Sequence, residues 1–169
     1  NALSKAKGNY IFLSDQDDIW LENKLQICIK YLRKYDLVLS DYVLIGSNKE
    51  IISTSYRMRN VKTGFWKNYH RNSYTGCCMA FNQKILKQIL PFPVNIKSHD
   101  HWIGLVAEMC GKTLFINQPL IFLRRHDTNF SRHSGNDAYI TGKSPYKIHQ
   151  ILFHRLILMY QLIIRRYGR

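Results

Sequence analysis

Tyr10-Ile11-Phe12-Leu13-Ser14-Asp15-Gln16-Asp17-Asp18-Ile19-Trp20 decides the reading of this chain, because an apolar run passes directly into three carboxylates and then into an amphipathic segment. Like charges this close repel by roughly 4 kcal/mol per pair at an effective dielectric near 20, so the cluster is tolerable only when solvated, protonated or bridged by a cation. An Asp-x-Asp pair alone is cheap: about 0.4 are expected by chance in a chain with this many aspartates. Placement raises the signal. In open α/β sheets ligands bind beyond the carboxyl ends of strands, and the acids sit where a strand over residues 10–13 would end. The competing reading is that Asp17 or Asp18 caps the next helix.

The periodicity then works outward. Residues 21–35 read as a helix with Leu25, Cys28, Ile29 and Leu32 on one face, and residues 37–40 read as a second buried strand. The unit is β-α-β, which makes the sheet locally parallel. On the N-terminal side, residues 2–7 read as a helix end closed by a left-handed Gly8, so the chain is expected to open inside an element. On the C-terminal side, residues 43–75 read as a strand, a loop and a short helix. Asn82 caps a helix that Pro91 and Pro93 stop. Residues 100–109 form another helix, residues 113–116 and 120–123 two strands, and residues 127–144 a polar loop. Pro145 opens a last helix to about residue 167, with Ile148, Leu152, Leu156, Met159 and Ile163 at helical spacing. The expected organisation is residues 1–143 as one α/β unit and 144–169 as a basic amphipathic helix.

Composition narrows the partners. With 169 residues, 46% of them hydrophobic, the chain can bury one ordinary core. No apolar run approaches a membrane span, and no secretion signal is visible, which makes a cytoplasmic location the expectation. Cys28, Cys77, Cys78 and Cys110 lack metal-type spacing and read as reduced, packed thiols. The net charge of +14 calls for anionic partners, among which nucleic acid, anionic lipid and nucleotide-sugar phosphates all qualify. Nucleic acid is the weakest of these, since no recognition motif accompanies the charge. Residues 141–169 carry Lys143, Lys147, Arg155, Arg165, Arg166 and Arg169 and no acid, whereas three acids gather at positions 15–18.

In order along the chain, ALSKAKGNYIFLSDQDD, TGCCMAF, SHDHW and FLRRH resemble the family 2 glycosyltransferases of GT-A fold, especially their bacterial polysaccharide and rhamnosyltransferase branch. The resemblance covers residue 1 to about residue 132. It implies an α/β, partial GT-A (Rossmann-like) domain with a mixed, mostly parallel sheet flanked by helices, and a C-terminal amphipathic helix. In such a domain Asp15 and Asp17 match the acid pair that holds Mn²⁺ or Mg²⁺ against the donor diphosphate, and hard oxygens suit such cations. Asp18 is an extra acid, a cap or a supporting group. His126 matches a histidine that completes the metal shell. Asp100 matches the general base of inverting members, with a helix N-cap as the competing role. Gly76 matches a loop beneath donor and acceptor, Trp102 offers a face to a sugar or else belongs to the core, and Arg124 or Arg125 meets phosphate oxygens. The nucleotide-binding half that precedes the acid pair in this family is not in the chain, which is therefore expected to be a fragment.

The implied activity is metal-dependent, inverting transfer from a nucleotide-sugar donor, with dTDP-rhamnose a first guess, to a bacterial surface polysaccharide or lipid-linked saccharide. The last helix would lie on an anionic membrane surface at the inner face of the cell membrane. The alternative is a catalytically silent fragment that acts as a basic membrane- or nucleic-acid-binding module.

Overall fold

A computed structural model describes residues 2–46, 50–54, 61–124 and 147–167. Its strands are β1 (Tyr10–Phe12), β2 (Ile19–Trp20), β3 (Leu37–Ile45), β4 (Ile51–Thr54), β5 (Met79–Asn82) and β6 (Thr113–Arg124). Its α-helices are α1 (Lys24–Leu32), α2 (Phe65–His70), α3 (Gln83–Ile89), α4 (His99–Cys110) and α5 (Ile148–Tyr167). The sheet runs β1-β5-β3-β6-β2, and β4 pairs with the far half of β3.

The mixed α/β class read from the sequence holds, with one change of topology. β1 and β3 point the same way, as the β-α-β reading requires, but β5 lies between them and is antiparallel to both. Among the described pairings only β3 with β6 is parallel. A short strand arriving through the Gly76–Cys78 turn can be inserted from either direction, and hydrophobic content carries no sign of strand direction.

β3 is buried along nearly its whole length; it opens with the strand expected over residues 37–40 and runs on through buried Asp41 to Ile45. Its partner β6 was expected as two strands around Asn117-Gln118-Pro119. The chain instead continues as one strand, and register shifts opposite Ser40 and Asp41 absorb the interruption. Gly8 is not left-handed, and residues 3–5 form a single 3₁₀ turn that ends in extended backbone at Ala6.

Helices cover both faces. α1 lies over Val38, Ala80, Ile116 and Leu120 through Cys28 and Leu32. Lys24 is the third buried position of that stripe, while Leu25, expected inside, is exposed. On the other face α4 buries Trp102 through Ala107 continuously, so this helix is enclosed rather than amphipathic. Gly104 makes that possible, because a Cβ there would stand 2.3 Å from the buried Tyr74 ring. Tyr74 Oη donates to Glu108 Oε1 at 2.7 Å, tying the segment before β5 to α4. Asn82 caps α3 as expected, accepting from Ile85 N at 3.1 Å.

α5 spans Ile148–Tyr167, where the helical spacing of its apolar residues predicts a helix. Leu162 is its one buried residue among those described, and Arg165 Nη1 donates to Leu90 O at 2.6 Å. Much of the apolar stripe points outward: Ile148 is 71% and Leu156 69% exposed, and Leu152 and Ile163 are also exposed.

Candidate active site

Topology gathers the site at one sheet end. β1 ends at Phe12, and Leu13 N donates to Met79 O at 3.2 Å, which places the acid loop beside the turn that feeds β5. Ile19 pairs with Phe122, so the loop enters β2 at the end where β6 runs out through Arg124. The carboxyl end of β1 and the Gly76–Cys78 turn therefore meet, and the acid loop runs from there to the last residues of β6, which it joins through β2; open α/β sheets take ligands beyond such strand ends.

Within this loop Asp15 N donates to Asp18 Oδ2 at 3.3 Å. Carboxylate oxygens of Asp15 and Asp18 and the Cys77 sulfur all lie within 4.8 Å of one another. The acid brought against Asp15 in this way is Asp18, where Asp17 was expected. Asp18 is not a helix cap: β2 intervenes, and Asn23 holds the N-cap position of α1.

Electrostatics report a site short of positive charge. Desolvation, then Asp17, then Asp100 push the Asp15 carboxyl above its ordinary range. Burial raises Asp18 as well, with Asp15 and Asp17 adding and hydrogen bonds from Cys77 and the Asp15 amide opposing. Two raised carboxyls facing each other fit a hard divalent cation. The thiol fits poorly, because its contact with Cys78, burial and the neighbouring acids all hold Cys77 protonated, and a soft donor adds little to such an ion.

Asp100 stands across from this pair. A Cβ built on Gly76 would lie 3.8 Å from Asp100 Cβ and 4.0 Å from Leu13 Cδ1, so the glycine stands between Asp100 and the end of β1 without filling the space. Asp100 does not cap α4. Ser98 does, accepting from His101 N, while Asp100 Oδ1 accepts from the same amide at 2.9 Å and from the Ser98 hydroxyl. Both contacts fix the carboxylate at the start of the helix.

Trp102 is not a sugar platform. It is fully buried, with Nε1 donating to Ile89 O at 3.0 Å, because α4 is enclosed on both sides. Arg124 is half-buried at the end of β6. Arg125 and His126 lie outside the described residues.

Lys24 was missed. Its ammonium is fully buried, donates to Cys77 O at 2.8 Å and lies 4.4 Å from the Trp20 ring centroid. Burial lowers its pKa, and Asp18 is among the groups pulling it back up. The signal was a lysine at the i, i+4, i+8 stripe with Cys28 and Leu32. Lys24→Ala is expected to cost about 2–4 kcal/mol, from the cavity and the unsatisfied Cys77 carbonyl. Lys24→Met should recover most of the packing share; urea denaturation followed by tryptophan fluorescence reads both.

Comparisons with known proteins bear on family and fold. The sequence profile of glycosyl transferase family 2 matches residues 1–90, and the chain belongs to that family. An uncharacterized glycosyltransferase of Methanocaldococcus jannaschii is 32% identical over 115 residues, 63% of this chain and 39% of the relative. Among solved structures, residues 1–349 of S. aureus TarS in complex with UDP-GlcNAc superpose with a TM-score of 0.55 at 14% identity, over 99% of this chain and 51% of that one. A longer TarS structure gives 0.52 at 15% identity, over 98% and 30%. The likeness shows a GT-A type fold, and the chain spans about half the length of the TarS 1–349 structure or less of the other relatives it matches.

Proposed function

We propose that the protein transfers a sugar from a nucleotide-sugar donor to a saccharide acceptor with inversion at the anomeric carbon. The carrying observation is Asp100 beside Gly76, across from the Asp15–Asp18 pair at the carboxyl end of β1. Asp15 with Asp18 and Asp17 would hold a Mn²⁺ or Mg²⁺ ion, and the family resemblance adds His126; the chemistry such an ion supplies is neutralisation of the departing diphosphate. Asp100 accepts the proton of the acceptor hydroxyl as that oxygen attacks the anomeric carbon and the bond to the diphosphate oxygen breaks. Lys24 holds the Cys77 carbonyl and with it the Gly76 turn. Arg124 and Arg125 serve the donor phosphates.

TarS binds UDP-GlcNAc, and the branch resemblance points to dTDP-rhamnose, so these two donors are the first to test. Full-length protein given each donor, Mn²⁺ and a cell-surface saccharide should release nucleoside diphosphate only when cation and acceptor are both present. A basic binding module would release none with any donor.

The outward apolar stripe of α5, with Lys147 and Arg166 exposed beside it, favours a place on an anionic membrane at the cytoplasmic face. No helix among the described residues is long and apolar enough to cross a membrane. Sedimentation with vesicles containing phosphatidylglycerol should be strong and salt-sensitive, and Leu152→Glu with Leu156→Glu should abolish it. Binding unchanged by both substitutions would remove α5 from the contact.

A further inference from the structure

Among the described residues Lys24 is the one basic side chain that is fully buried, and it stands at the first position of α1, just beyond the acid loop and β2. Taking an ammonium out of water costs several kcal/mol, and a methionine would fill the same space without that penalty. For folding alone the charge is a poor choice. What it reaches is the site.

Lys24 Nζ donates to Cys77 O at 2.8 Å and lies 4.4 Å from the Trp20 ring centroid, so one group touches both the Gly76–Cys78 turn and the strand into which the acid loop runs. Both partners are themselves anchored. Trp20 pairs with Ile121 of β6, and its ring centroid stands 5.5 Å from that of Phe12 at the end of β1. The base of the lysine is fixed as well, since Lys24 N donates to Leu21 O at 3.0 Å and Leu21 N to Leu120 O at 3.1 Å. Cys77 is the shared member: its carbonyl takes the ammonium, while its sulfur lies within 4.8 Å of carboxylate oxygens of Asp15 and Asp18. Its neighbour Gly76 is the residue that faces Asp100.

We propose that Lys24 is a positioning residue of the transfer reaction: by clamping the Cys77 carbonyl and the Trp20 ring together, it fixes how far the acid loop stands from Asp100. Buried as it is, it acts through the turn and the loop. The positive charge is what the clamp requires, because the charge-assisted hydrogen bond to a carbonyl and the attraction to an indole face both vanish in a neutral side chain of the same shape. Transfer needs the leaving diphosphate and the base on opposite sides of one sugar, and a misplacement of about 1 Å costs about 10²-fold in rate. Donor binding draws on the loop side alone and is far less sensitive to that separation.

This inference rests on the transferase reading, and the experiment keeps their failures apart. Full-length protein and its Lys24→Met variant are compared at saturating Mn²⁺ and acceptor, with UDP-GlcNAc or dTDP-rhamnose, whichever the unaltered protein turns over. In Lys24→Met kcat should fall about 10²-fold while donor KM stays within about threefold. A lysine that only packs would leave the kcat of the folded protein unchanged, so a kcat within about threefold of the unaltered value overturns the inference and keeps the transferase. Lys24→Ala supplies an arm that does not depend on how well the methionine variant folds. There n-propylammonium replaces the lost methylenes and the charge, and propionitrile matches it in size without a donor. Activity recovered by the amine and not by the nitrile supports the clamp; equal recovery from both, or none from the amine, overturns it. An unaltered protein that turns over neither donor sinks the transferase reading, and hydrogen exchange at Cys78 N, which donates to Thr75 O at 3.1 Å, then reports on the clamp by itself. Faster exchange there in Lys24→Met, with the amides of α4 unaffected, supports it, and unchanged exchange overturns it.

Discussion

Asp100→Asn is expected to lower transfer by about 10²–10⁴-fold while leaving donor affinity unchanged, because it removes proton acceptance and little else. The amide oxygen can still accept from Ser98 and from His101 N, the two contacts that hold Asp100 at the start of α4. Shape and position are therefore conserved, and only basicity is lost. Steady-state kinetics with the donor varied at saturating acceptor separates the terms: kcat should fall and donor KM should hold. A fall in donor affinity with kcat intact would make Asp100 a donor contact.

The second large effect is on the cation. Mn²⁺ at a hundred times its Kd should stabilise the protein by about 2.7 kcal/mol, and Asp15→Asn should erase that gain together with metal-dependent binding of the nucleoside diphosphate. pH adds a sign. The Asp15 and Asp18 carboxyls are raised in the folded state, so their share of stability without metal is present at low pH and is lost as pH rises through the raised values. The metal effect runs the other way, growing with pH as both carboxyls ionise. Thermal unfolding with and without Mn²⁺ across the acidic range should give curves that diverge upward in pH. In Asp15→Asn they should run together.

Much of this was legible in the residues. The acid loop after a buried run, the Asn82 cap, the enclosed β3 and the family order of four short motifs all follow from local chemistry. What escaped was set by partners distant in sequence. Nothing near residues 79–82 says that β5 enters antiparallel between β1 and β3, because direction is decided by where the preceding turn arrives. Trp102 reads equally as a platform or as core until α4 is seen to be covered on both sides. The α5 stripe has helical spacing whichever face is buried, and the arginine contacts with Leu90 and His70 carbonyls turn Leu162 inward and the stripe out. Lys24 was legible in principle: an apolar stripe broken by a lysine beside an acid cluster marks a buried cation with a task.

The central claim is that one divalent ion on the Asp15 loop and the Asp100 carboxylate flank a single sugar-sized space. Crystals of the full-length protein with Mn²⁺ and a nucleoside diphosphate, measured for anomalous scattering, test it directly. A manganese peak bonded to Asp15 and a neighbouring acid of the loop is expected, with the diphosphate on the ion and Asp100 across the Gly76 gap. A peak elsewhere, or Asp100 directed away from the diphosphate, would contradict it.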